Sequence, residues 1–384
     1  MLIDSTVPRV AIDRGVERDG NVFEIFRKTR DVTRTGIVVL GTALAVVSPS
    51  RVIAQDSEFL PLNGPAELVR SLRLPGLADE IRRPLSLHVD RRHGEIFATD
   101  SGSNRILVFD QNGYYRYQFD CADWIGTPLG VVVDSEGFVF VLGTVRSGQR
   151  LVKFDFDGMP LGDVDLSALA GRRAMELQID DDDRLVVLDD RTRVHLLERD
   201  GTLLRTLDIG AVVPSDERNE LILGKPLVRD ELLYLPASTL GNVLVIDMET
   251  GEHVKTLGVR GNTPGQLNFP VAVDLTSEGI VAVLDKMRFA VVCYSADDGR
   301  FLGEFGGKGF RDGWFYHPNL LAVSDDDHLV VGQMLDGRIQ LCRIPRYVMT
   351  RHVQVRTTDR DDDEDVSQGP RFGADGSGTT LDTP

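Results

Sequence analysis

Six related segments between Arg83 and Ile344 repeat one pattern, and that pattern leaves very few folds open to the chain. The first copy reads Pro84-Leu85-Ser86-Leu87-His88-Val89-Asp90, then His93-Gly94-Glu95-Ile96-Phe97-Ala98-Thr99-Asp100, then Ser103-Asn104-Arg105-Ile106-Leu107-Val108-Phe109-Asp110, then Asn112-Gly113. Short β-rich apolar runs alternate with turns built from Gly, Asn, Asp and Ser. The other copies begin at Pro128, Ala174, Pro226, Pro270 and Pro318. A repeat of about 45 residues holding about four strands describes a propeller blade. The expected fold is all-β, a six-bladed β-propeller of four-stranded antiparallel blades. The longest interval holds Ala211–Leu223, which reads as an enlarged loop.

A fourth strand follows the Gly turn in most copies, as in Gly201-Thr202-Leu203-Leu204-Arg205-Thr206-Leu207 and Gly251-Glu252-His253-Val254-Lys255-Thr256-Leu257. None follows the sixth copy at Ile344. The same pattern stands ahead of the first copy, in Val69-Arg70-Ser71-Leu72. The N-terminal strand is therefore expected to complete the last blade as its outer strand. Such closure leaves only short, protected strand edges. The alternative is an outer strand supplied by Arg346–Arg356.

The run Asp100-Ser101-Gly102-Ser103-Asn104-Arg105-Ile106-Leu107-Val108-Phe109-Asp110 resembles an NHL repeat. The chain is similar to exported bacterial six-bladed propellers of the NHL family over about residues 64–345. Asp189-Asp190-Arg191-Thr192-Arg193-Val194 and Asp285-Lys286-Met287-Arg288-Phe289 keep part of the motif. The resemblance implies a fold; NHL propellers serve both as interaction platforms and as enzymes.

The chain has 384 residues and a formal charge of −17, which argues against nucleic acid as a partner. No cluster of Lys and Arg stands out along the sequence. Residues 1–54 read as a signal peptide or membrane anchor, because Arg27-Lys28-Thr29-Arg30 and Arg34 precede the apolar run Gly36–Val47. That run is short for a membrane span and suits a signal-peptide core. It places the propeller outside the cytoplasm, periplasmic or extracellular, with membrane association through the N-terminal segment as the anchored alternative. Residues 55–63 read as a linker, 64–345 as the propeller and 346–356 as an extension. Residues 357–384 form an acidic tail, with Asp359-Arg360-Asp361-Asp362-Asp363-Glu364-Asp365, whose composition cannot build a core.

Chemistry-bearing motifs are sparse. Cys121, Cys293 and Cys342 are odd in number, and none lies in a C-x-x-C pair. Cys293 and Cys342 sit one repeat position apart, which argues against a disulfide between them. Asp180-Asp181-Asp182-Asp183 and Asp325-Asp326-Asp327-His328 fall at hairpins, where Asp serves turn geometry, although clustered carboxylates are also what Ca²⁺ takes. A resemblance to amidating lyases would imply a zinc-binding histidine set at the first-strand entrances. Those entrances carry Arg83, Thr127, Lys225, Phe269 and His317, of which one is His. No G-x-S-x-G elbow or phosphate loop occurs.

The five entrance residues are the candidate channel-mouth binding set. No catalytic residue, metal ligand or cofactor is assigned. The expected role is a noncatalytic platform for a protein partner, in a bacterial envelope assembly by analogy with bacterial NHL proteins, with a link to electron transfer as part of that analogy. The alternative is a hydrolase or lyase that holds Ca²⁺ or Zn²⁺ at the channel.

Overall fold

Period-two alternation of apolar residues on both sides of each strand is what this chain uses to build its core. Ile96 and Ala98 face one neighbouring blade, while Phe97 between them faces the other. The same division recurs around the ring, so each pair of adjacent blades shares one apolar layer. The computed structural model describes residues 64–353 apart from Leu77, Ala78 and Asp325. The expected signal or anchor segment, the linker and the acidic tail lie outside the described residues.

Six four-stranded antiparallel sheets form the blades. The innermost strands, here called A, are Leu87–Asp90, Thr127–Val133, Ala174–Ile179, Leu227–Arg229, Pro270–Leu275 and Pro318–Val323. Strands B, C and D follow outward in each blade. Because neighbours run antiparallel, A–B and C–D turns share one face, here the lower. B–C turns and the links from strand D to the next strand A share the upper face.

Blade 6 takes Glu67–Leu72 as its outer strand, paired antiparallel with Ile339–Arg343 from Glu67↔Arg343 to Leu72↔Ile339. The N-terminal closure is thus observed. Residues 346–353 are helical, not an outer strand, and pack against blade 5. There the Tyr347 hydroxyl donates to the Glu304 carbonyl at 2.6 Å.

The three cysteines are free and buried. Cys293 and Cys342 face each other's blades and share the apolar layer between blades 5 and 6. Burial pushes the Cys121 and Cys342 thiols up to about 12 and raises Cys293 as well. The thiols are expected to stay unreactive toward an aqueous disulfide reagent in the native protein and to react on unfolding, as read by thiol titration.

Loss of residues 64–72 would expose the Ile339–Arg343 edge and strip Ala66 and Leu72 from two apolar layers. The shortened chain is expected to lose its cooperative thermal transition and to aggregate. A soluble monomer melting at the parent temperature would contradict strand-exchange closure.

Candidate functional site

The upper face is shaped by one buried acceptor repeated at the ends of B strands. The Asp285 carboxylate is fully buried and accepts backbone N–H bonds from Asn268 at 2.6 Å, Phe269 at 3.1 Å, Met287 at 3.0 Å and Arg288 at 2.9 Å. It therefore fixes both the link entering blade 5 and that blade's B–C turn. Asp100 plays this part in blade 1, accepting from Arg82 N–H at 2.7 Å and Arg105 Nε at 2.8 Å. Asp189 accepts from Arg191 and Arg193 N–H in blade 3, with His195 at 3.2 Å. These are the aspartates of the repeat motif. Replacing Asp285 by Asn swaps part of the acceptor for a donor and is expected to cost roughly 2–4 kcal/mol in denaturant unfolding.

Blade 6 has Gln333 at this place, and Arg338 completes the job. Gln333 Oε1 accepts from Tyr316 N–H at 2.6 Å and from Arg338 at 3.0 Å. The Arg338 guanidinium also donates to the carbonyls of Phe310 at 2.6 Å and Trp314 at 3.0 Å. Gly307, at φ 134°, lets Trp314 lie on the backbone; a Cβ there would sit 2.5 Å from the indole. The link from blade 5 to blade 6 is thus held into a shelf.

On that shelf the rings are connected. Phe310 stacks on Tyr316 at 4.3 Å between centroids, Tyr316 meets His317 edge-on at 4.6 Å, and His317 meets Phe289 at 5.7 Å. Lys308 Nζ stands 5.7 Å from the Phe289 ring centroid. Phe310 is 67% exposed, Leu335 64% and Met287 53%. Phe315, by contrast, is fully buried between blades 5 and 6.

The structure divides the five entrance residues. Arg83 and His317 both precede a proline in the left-handed region, at φ 57° and 48°, which is costly for non-glycine residues. Arg83 is exposed and His317 belongs to the ring ladder. Phe269 is half-buried beside Asp285, and Thr127 Oγ1 donates to Asn104 Oδ1 at 3.1 Å.

Lys225 is elsewhere: it is 7% exposed, and its ammonium crosses the channel to donate to the Leu87 carbonyl of the opposite blade. The enlarged link carries it inward. Lys225 N–H donates to Val271 O at 2.8 Å, and a Cβ at Gly224 would lie 2.4 Å from that oxygen.

The lumen around Lys225 holds charged groups that the sequence reading did not single out. Glu176 and Asp274, on strands A of blades 3 and 5, supply the opposite charge. Burial raises Glu176 to about 7, against the pull of Lys225. Burial, with Lys225 and Arg91, lowers His88 to about 3. Nearer the lower face, Arg91 donates to the Leu275 carbonyl at 2.9 Å and pairs with Asp274 at 3.3 Å. Ionisable residues inside otherwise apolar first strands were the available signal. Among the described residues no three His, Cys, Asp or Glu side chains group as metal ligands.

The lumen should be visible in pH-dependent stability. The unfolded Glu176 carboxyl loses its proton near 4.5 and the folded one near 7, so its contribution falls as pH rises between them. Glu176→Gln is expected to remove that slope from denaturant midpoints measured across pH. His88 acts oppositely: its contribution is complete above 6.5 and is lost as pH falls toward 3, so His88→Asn should flatten that limb.

The two faces differ in charge. The lower face carries Asp134, Glu136, Asp180–Asp183, Asp230, Glu231, Asp297 and Asp298. Some of these carboxylates tie blades together. Asp183 accepts from Ser135 N–H at 2.7 Å, and Asp327 accepts from Ser277 N–H at 2.8 Å. The upper face carries Arg83, Arg146, Arg173, Arg191, Lys286 and Lys308 without a carboxylate at ion-pair distance among the described residues. The lower face also carries Arg92, Arg184, Arg199 and Arg229, and the upper face Asp190, Asp312 and Asp336, so the faces differ in the balance of charge.

No protein-family model matches the chain, and no curated protein matches it. Solved structures similar to it include a streptogramin B lyase, with TM-score 0.48 and 13% identity over 72% of this chain and 97% of that one. The β-propeller domain of Myceliophteria thermophila Cps50 (Swd1) gives 0.47 and 11% over 73% and 100%. The WD40 propeller domain of Doa1 gives 0.48 and 11% over 74% and 99%. The fold assignment rests on the strand order and register of the six sheets.

Proposed function

We propose that this chain is a noncatalytic binding platform of the NHL type that holds a protein partner on its upper face. The observation that carries the proposal is the connected ring ladder Phe310–Tyr316–His317–Phe289: Phe310 is exposed and the other three half-buried, and the first three rings stand on a link that Arg338 and Gln333 hold in place. Aromatic side chains on a rigid support provide contact area at little ordering cost. Arg83 and His317, two of the entrance residues, belong to this face. Phe269 and Thr127 help shape it, and Lys225 acts beneath it as a bolt across the lumen. The exported setting, in an envelope assembly with a link to electron transfer, is part of the proposal and draws on the N-terminal sequence and the NHL resemblance.

A metal-dependent hydrolase or lyase at the channel would draw on Glu176, Asp274 and His88. Lys225 and Arg91 already set positive charge against those carboxylates, which opposes capture of a divalent cation.

A photoreactive residue placed at Phe310, and separately at Phe156 on the lower face, tests the platform. Crosslinks to a partner are expected from the first position and not the second. Crosslinks from Phe156, or from outer strands alone, would overturn the choice of face.

A further inference from the structure

We infer that the partner segment received on the upper face is an acidic peptide carrying an aromatic or large aliphatic anchor. This rests on the platform reading and specifies its ligand.

Two independent features point to that chemistry. The first is apolar. Phe310, Met287 and Leu335 project from the blade 5–6 sector, and Phe310 stacks on Tyr316 with a solvent-facing surface. An apolar side chain set against Phe310 would act as the central anchor of the interface. The second is electrostatic. Lys286 and Phe289 share one turn, and Lys308 stands over the Phe289 ring from the neighbouring link. Neither ammonium has a carboxylate at ion-pair distance among the described residues. Arg83 adds a third such cation on the adjoining link. Arg288 and Arg338, in the same sector, are already engaged by Glu304 and by Gln333 with the link carbonyls, so they position the face.

A chain with net charge −17 repels acidic partners at long range, and its lower-face carboxylates do so most strongly. An acidic peptide is therefore steered away from the lower face and toward the upper one, where complementarity fixes its approach. Single-stranded nucleic acid would also use cations and stacking rings. Asp312 and Asp336 line the cavity beside Phe310, so a continuous phosphate backbone is repelled there, and a peptide whose carboxylates meet only Lys286, Lys308 and Arg83 is favoured.

The test is fluorescence anisotropy with the full chain and short labelled peptides sharing one central Phe, flanked by Glu and Asp, by Ser and Gly, or by Lys. An oligouridylate is the rival probe. The acidic peptide is expected to bind best. Phe310→Ala is expected to weaken it about tenfold or more, the effect of losing an anchor worth over 1 kcal/mol. Lys286→Glu with Lys308→Glu should weaken it further and flatten its salt dependence; these side chains are partly or fully exposed, so the fold should persist.

Preference for the neutral or Lys-flanked peptide, still sensitive to Phe310→Ala, would overturn the inference and leave the platform reading standing. Tighter binding of the oligouridylate would overturn it in favour of nucleic acid. Binding of every probe unchanged by Phe310→Ala would remove both.

Discussion

A buried carboxylate that accepts backbone N–H groups from two segments at once is the interaction on which this molecule depends. Asp285 holds the link before blade 5 and the turn within it, and Asp100 and Asp189 do related work in blades 1 and 3. A charge buried in this way is tolerable only because donors surround it. The consequence is mechanical: each blade is fastened to the segment that arrives from its predecessor. Loops on the upper face are thereby shaped by the core and not by solvent. In blade 6 the neutral Gln333 cannot make the same set of bonds, and Arg338 substitutes by gripping the link through its carbonyls. That substitution coincides with the ring ladder that ends at the exposed Phe310.

The lumen and the lower face solve a different problem, which is how a strongly acidic ring stays closed. Lys225 crosses from blade 4 to blade 1, and Arg91 of blade 1 reaches blades 5 and 6; their targets include backbone carbonyls as well as carboxylates. On the lower face, Asp183 and Asp327 turn potential repulsion into hydrogen bonds to the preceding blade's serine. What remains is an acidic lower surface and an upper surface with unpaired cations. Electrostatics of this kind governs approach and selectivity more than it governs the fold.

The repeat made the ring, its blade number and its closing strand legible in the sequence, because Val69-Arg70-Ser71-Leu72 repeats the fourth-strand pattern that blade 6 lacks. The candidate site was legible only in part. Arg83, Thr127, Phe269 and His317 look alike as residues before or at a first strand, and the fold does bring such positions to the upper face. Lys225 shares that position but follows the enlarged link, whose close approach at Gly224 to Val271 draws it into the lumen. No local pattern encodes that approach. The ladder was hidden as well: Trp314, Phe315 and Tyr316 are adjacent in sequence, and which ring is buried depends on Gly307 and on contacts with blade 6. The charge polarity of the faces was invisible for the same reason. It appears once turns are sorted by the strands they join.

The central claim is that the upper face is held rigid by the core. Amide hydrogen exchange at Asn268, Phe269, Met287 and Arg288 addresses it most directly, since these four amides point at the buried Asp285 carboxylate. The account predicts protection comparable to that of the neighbouring B and C strands, with all four exchanging together on global opening. Exchange at the rate of open surface loops, while the strands stay protected, would contradict it.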